Sequence, residues 1–366
     1  MTEAEAPPRP ARARWRKAAV AVLQVAVTIS ILWFLFRDPA KRRTMFETFA
    51  GADPVWLLAG LAVYAFIEFL AGVRWQWLLR VQGIALSWRR VFTLLFIGIF
   101  FNFFIPGGTG GDVVKVFYLL KETPGQRAPA LLSVLVDRII GVFSLVILGG
   151  LLVSARWDWL NSSPDTAKYL WLTLAIMLAC LGGLGFSFLV SGFHLAHKLP
   201  PRFPGRDRFA EVALAYNLYA RAWQVSLTCF LISVLAHFGY FMTFYCAARA
   251  FASPATRLPT IGELFAIMPV INTITALPIS LGGIGVREGL FQLFLGRLCQ
   301  VSEAVAVVIS STGYLLTMIV GLSGGVLYML YRPSEHARLR EMQERVAEFE
   351  HTVAETAIAR ESGEER

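Results

Sequence analysis

The chain has 366 residues, 56% of them hydrophobic and 16% charged, with a net charge of +9 and four cysteines. Soluble domains run about 45–50% apolar and about 25% charged, so this composition suits a bilayer rather than water. It excludes a cytosolic dinucleotide-binding enzyme, a disulfide-rich secreted module and a disordered scaffold. The basic residues cluster beside apolar runs, where they read as topology signals and contacts to anionic headgroups rather than as a nucleic-acid face. Cys180, Cys229, Cys246 and Cys299 lie in or beside apolar runs without CxxC spacing and read as small packing residues.

The first apolar run, Ala18–Phe36, follows Arg9, Arg12, Arg14, Arg16 and Lys17. It is too long for a signal-peptide core and reads as a retained span with a cytoplasmic N-terminus of residues 1–17. Further spans are expected at Pro54–Val73, Val91–Ile105, Ala130–Ser154, Tyr169–Ser191, Trp223–Phe251 and Ala304–Tyr331. Most are near the ~20 residues a bilayer requires, and Val91–Ile105 is short. The expected fold is an all-α polytopic bundle over residues 18–331, with about seven or eight membrane helices and two broken, re-entrant hairpins.

Basic residues after the second and fifth spans (Arg74, Arg80, Arg89 and Arg90; Lys198, Arg202, Arg206, Arg208 and Arg221) place those connections in the cytoplasm. The first connection holds Arg37, Lys41, Arg42 and Arg43, yet an N-in start puts it outside, against that rule. Phe209, Val212, Tyr216 and Tyr219 recur at helical spacing and suggest an interfacial helix over Arg206–Arg221. Residues 332–366 are expected to form a charged cytoplasmic tail with a short helix. Trp56, Trp75, Trp77, Trp157 and Trp159 read as interface anchors.

Two clusters interrupt the apolar pattern. The first runs Asn102-Phe103-Phe104-Ile105-Pro106-Gly107-Gly108-Thr109-Gly110-Gly111-Asp112, then reaches Lys115. A proline and four glycines end a helix. Irregular backbone survives in a membrane only where protein or a wet cavity satisfies it, so the segment is a surface loop or a re-entrant turn. The short span before it and the apolar Val116–Leu120 after it favour re-entry. The second cluster, Pro278-Ile279-Ser280-Leu281-Gly282-Gly283-Ile284-Gly285-Val286-Arg287-Glu288, has helix-like sequence on both sides. In this topology the two hairpins enter from opposite sides, the arrangement that marks a midplane binding site in inverted-repeat transporters. Neither cluster has nucleotide-loop spacing.

Ionisable residues inside spans pair or face water. Asp137 and Arg138 read either as ion-pair partners or as cavity-facing contacts. Arg287 offers a bidentate fork for phosphate and Lys115 a second cation. Asp112 and Glu288 suit an amine or a proton relay. Glu68 is a weaker functional candidate, because pairing with Arg74 near the membrane edge would also account for it. His194 and His197 lack an acidic companion, so no metal is expected, and His237 reads as a helix–helix hydrogen bond. No catalytic residues and no cofactor are indicated.

Taken in order, Asn102, Pro106-Gly107-Gly108, Gly111-Asp112-Val113-Val114-Lys115, Asp137-Arg138 and Pro278 to Glu288 resemble the lysylphosphatidylglycerol synthase transmembrane region, also called UPF0104. The resemblance covers roughly Ala18–Tyr331. It implies a bundle in the cell inner membrane that moves or binds an anionic or aminoacylated phospholipid, or a lipid-linked sugar. The family's first motif usually carries Arg where this chain has Lys115, and its mid-span pair is commonly Glu-Arg where this chain has Asp137-Arg138. Residues 332–366 are too few for the soluble aminoacyl-transferase domain of full-length synthases, so lysyl transfer is not expected. The leading expectation is lipid translocation, with phosphate held by Arg287 and Arg138, and with Asp112, Asp137 and Glu288 balancing charge or engaging a cationic headgroup. A membrane-embedded lipid-modifying transferase and an accessory subunit, homo-oligomeric or bound to a partner membrane enzyme, are the alternatives.

Overall fold

The computed structural model describes residues 11–105, 110–123, 126–192, 218–253 and 256–331. Among them the elements are helices, with no strand. In chain order they are α1 (Ala11–Phe36), α2 (Pro39–Ala50), α3 (Pro54–Val81), α4 (Trp88–Phe104), α5 (Gly110–Glu122) and α6 (Arg127–Ala155). Then come α7 (Trp157–Leu160), α8 (Pro164–Gly192), α9 (Trp223–Arg249), α10 (Ile261–Thr275), a 3-10 turn at Leu281–Gly283, α11 (Val286–Cys299) and α12 (Glu303–Leu330). Each expected span has a helix. The interfacial helix at Arg206–Arg221 falls mostly outside the described residues, and the tail falls wholly outside them.

Local chemistry sets the helix starts. Asp38 caps α2 and Asp53 caps α3, each followed by a proline whose missing N–H costs nothing at a first helical position. Ser87, Thr260 and Ser302 cap α4, α10 and α12, and Thr260 closes a capping box with Glu263. The sequence reading missed α2, although Asp38-Pro39 is a helix-start signal. This helix gives two of the basic residues of the first connection partners within the protein. Lys41 Nζ lies 2.9 Å from Gln292 Oε1 and 3.1 Å from Glu303 Oε2, and Arg43 pairs with Glu47.

Five helices, α3, α6, α8, α9 and α12, have an apolar stretch long enough to cross a membrane, and α12 is the most deeply packed of them. Outward faces carry Leu58, Phe66, Phe69, Leu151, Leu178, Leu231, Leu235 and Met329. A continuous apolar exterior of this kind suits lipid and would aggregate in water. Inside, Phe241, Phe244, Phe291 and Phe294 form a fully buried core against α10 and α12. Cys229, Cys246 and Cys299 are buried and unoxidised, as expected of packing residues, and Cys180 is half-buried.

Two short helix pairs enter the bundle from opposite ends. The outer ends of α4 and α5 meet the C-terminal end of α12, where Arg90 pairs with Glu122 at 3.1 Å and Tyr331 donates to the same carboxylate. The outer ends of α10 and α11 meet the other end, where Arg297 pairs with Asp165 at 2.9 Å and Arg257 donates to Gln300 at 2.8 Å. Their inner ends meet beside α12: the 3-10 turn touches α4, and the Phe103 and Tyr314 rings are 5.8 Å apart.

Candidate functional site

The first cluster sits where α3, α5, α6 and α9 converge. Asn102 Oδ1 accepts a 2.9 Å hydrogen bond from Gly111 N, joining the end of α4 to the start of α5. Gly111 is required by close approach, because a Cβ there would run into the Gly98 carbonyl and the Asn102 amide. Gly110 is packed against Ile105 in the same way. Pro106, Gly107 and Gly108 lie outside the described residues.

Asp112 and Lys115, three apart on α5, share one face toward α6. Lys115 Nζ lies 3.4 Å from Asp137 Oδ2 and 4.0 Å from the centre of the Trp75 ring. Arg74 Nε donates to Asp137 Oδ1 at 2.9 Å, and its Nη1 donates to Ser233 Oγ at 2.6 Å. Lys115 and Asp137 are buried. Arg138, the next residue around α6, points away from this trio and pairs with Asp112, its side chain about half exposed. Each charge in the cluster therefore has a partner of opposite sign.

Two expectations are corrected here. Arg74 bridges Asp137 and Ser233 rather than Glu68, because α3 continues to Val81 and carries Arg74 inside the bundle. Trp75 is fully buried beneath Lys115, not an interface anchor.

The second cluster is built differently. Gly282, Gly283 and Gly285 have φ of 58°, 76° and 85°, a left-handed region that side chains rarely adopt. The chain α1 satisfies part of the broken backbone: Gln24 Nε2 donates to Pro278 O at 3.0 Å, and Leu281 N donates to Thr28 Oγ1 at 2.9 Å. Glu288 is consumed structurally. Its Oε2 accepts from Gly285 N at 2.6 Å and its Oε1 from Ser310 Oγ at 3.3 Å. That leaves it a cap of α11 rather than a group open to an amine.

Arg287 is 6% exposed. Its Nη2 donates to Gly282 O at 3.0 Å, and its guanidinium lies 4.0 Å from the centre of the Tyr314 ring. Among the described residues no carboxylate pairs with it, and Nε and Nη1 have no hydrogen-bond partner. Ser280 Oγ, in the same turn, is also buried without one. A buried guanidinium with two unused donors is costly unless something supplies acceptors.

The structure places Asp112, Lys115, Asp137 and Arg138 in one cluster and Arg287 and Glu288 in another, so Arg138 and Arg287 have separate partners. Sequence reasoning missed Arg74, Ser233, Ser310 and Tyr314. Of these only Arg74 left a signal, as a charge just past an expected span. His237 Nε2 is 3.0 Å from Gly141 O, the helix–helix bond expected. Among the described residues no group of His, Cys, Asp and Glu is arranged to hold a metal.

An apolar-faced helical bundle with two opposed, broken hairpins and a buried cation between them defines a multi-pass integral membrane protein. The chain belongs to the family described as the lysylphosphatidylglycerol synthase TM region, whose model matches residues 21–322. A UPF0104 membrane protein of Methanothermobacter thermautotrophicus is 25% identical over 86% of this chain and 93% of its own length. A UPF0104 membrane protein of Pyrococcus horikoshii is 28% identical over 36% of this chain and 38% of its own. Glycosyltransferase AglD of Haloferax volcanii is 23% identical over 93% of this chain, which spans 58% of that protein.

Proposed function

We propose that the protein binds a membrane lipid by its anionic headgroup at the junction of the two hairpins and translocates it. The observation that carries this reading is Arg287, held in a buried, strained turn with two free guanidinium donors. Planar guanidinium donors match phosphate oxygens, and a headgroup needs a polar path through hydrocarbon. The opposed hairpins reach the same level from both ends of the bundle, so a headgroup bound there lies within reach of either leaflet. The first cluster takes a supporting role, holding α5 against α6 through paired charges. The headgroup classes in view are an anionic or aminoacylated phospholipid and, because one relative is named a glycosyltransferase, a lipid-linked sugar. The same relative favours a second reading, a membrane-embedded transferase.

The test is exchange of fluorescent lipids in proteoliposomes, read by an impermeant quencher. Headgroup-selective exchange by wild-type protein, reduced at least tenfold in Arg287→Ala but retained in Arg138→Ala, is the expected result. Exchange without headgroup preference, or undiminished in Arg287→Ala, overturns the reading. Chemical turnover of the lipid by wild-type protein moves it to the transferase.

A further inference from the structure

Beside the second cluster, α3, α9 and α10 line an open groove of about 360 Å³. Tyr64, Glu68, His237, Tyr240, Asn272 and Thr275 supply its polar walls. The Tyr64 and Tyr240 rings stand 6.3 Å apart with their planes inclined at 59°. Glu68 has no ion pair among the described residues; Arg74, the cation nearest in sequence, is committed to Asp137 and Ser233.

The other wall groups are neutral and mix donors with acceptors. Asn272 brings both. His237 directs Nε2 at the Gly141 carbonyl, which makes Nε2 the donor and leaves Nδ1 an acceptor. The Thr275 hydroxyl donates to Ile271 O at 2.8 Å and keeps acceptor capacity. The groove also adjoins Arg287. A Cβ added to Gly283 would stand 3.0 Å from Thr275 Cβ and 3.1 Å from Arg287 Nη2, so the wall and the guanidinium flank the same point.

This combination selects among ligands. The volume is far larger than an inorganic ion needs and lies at the low end of the ~300–1,000 Å³ range of small-ligand pockets. An ammonium group, which carries donors only, would match Glu68 and the wall acceptors but leave the Asn272 amide donors without an acceptor. A polyol ring carries donors and acceptors around its rim and apolar C–H faces for aromatic walls, and its hydroxyls make strong charge-assisted bonds to a carboxylate. We infer that the groove is a sugar subsite, and that the ligand is a lipid-linked glycosyl phosphate with its phosphate on Arg287 and its first sugar ring against Glu68, Asn272 and the two tyrosines. The inference rests on the anion reading of Arg287 and names the class of headgroup.

The test compares three short-chain prenyl phosphodiesters that differ only in the second ester: methyl, hexosyl and aminoethyl. Each is titrated against purified full-length protein in detergent. Wild-type protein is expected to bind the hexosyl ester at least tenfold more tightly than the methyl ester. Glu68→Gln and Asn272→Ala each erase that preference while keeping methyl-ester affinity within about twofold, which also reports that the variants are folded. Arg287→Gln weakens all three together.

Equal binding of the methyl and hexosyl esters to wild type overturns the sugar subsite and leaves the anion reading standing. Preference for the aminoethyl ester that Glu68→Gln abolishes overturns it in favour of an ammonium site. A sugar preference that survives both groove variants overturns the placement. Binding of none of the three overturns the anion reading, and the sugar subsite with it.

Discussion

The two hairpins break at similar sequence, proline and paired glycines followed by charge, yet they use their charges in opposite ways. Around the first, Asp137 holds Arg74 and Lys115, and Asp112 holds Arg138. Around the second, Glu288 is turned into a helix cap and, among the described residues, no carboxylate pairs with Arg287. A paired buried network fixes helices relative to one another, whereas an unpaired buried cation stores a binding capacity that a ligand completes. Charge inside a membrane segment is thus not by itself a sign of the site, and satisfaction of the charge is what separates scaffold from receptor.

The widest separation is expected from removing the central carboxylate. Asp137→Ala strands two cations in the interior and should cost about 3–5 kcal/mol, seen as a large fall in Tm in detergent. A small fall would mean that the first cluster is hydrated rather than load-sharing. Gly111→Ala should follow at about 1–3 kcal/mol or more, because the added methyl meets the Gly98 carbonyl and neither backbone yields easily.

Arg287→Ala should behave in the opposite sense: Tm unchanged or raised, with lipid exchange reduced at least tenfold, equivalent to about 1.4 kcal/mol of binding or barrier. A Tm loss as large as that of Asp137→Ala would erase the contrast between the clusters. Ser310→Ala removes one donor to Glu288 and should cost about 1 kcal/mol, read from the same melts. Smallest is Arg138→Ala. Its ion pair is half exposed, so about 0–1 kcal/mol is expected, with lipid exchange retained.

Much of the fold could be read from composition and periodicity, since each apolar run of the right length became a helix. The helix breaks were equally readable, because proline and left-handed glycines act locally. Asn102, Gly111, Lys115 and Asp137 stood out along the chain as candidate residues, and the structure joins Asn102 to Gly111 and Lys115 to Asp137. Their roles were not readable. Arg74 looked like a topology signal and Glu68 its partner until α3 proved two turns longer than the apolar run. Ser233, Ser310 and Tyr314 are ordinary residues in apolar helices, and nothing along the chain marks them.

The sequence by itself determined that the chain dissolves in a membrane, where its helices break, and that it carries more intramembrane charge than spanning alone explains. These are properties of composition and of local backbone sterics, which act over a few residues. Only the tertiary structure decided which charges are spent on one another and which is left open. Pairing depends on helices 63 residues apart in sequence, as with Arg74 and Asp137, meeting at a common depth. A guanidinium is a partner or a receptor according to what the fold places within about 4 Å of it.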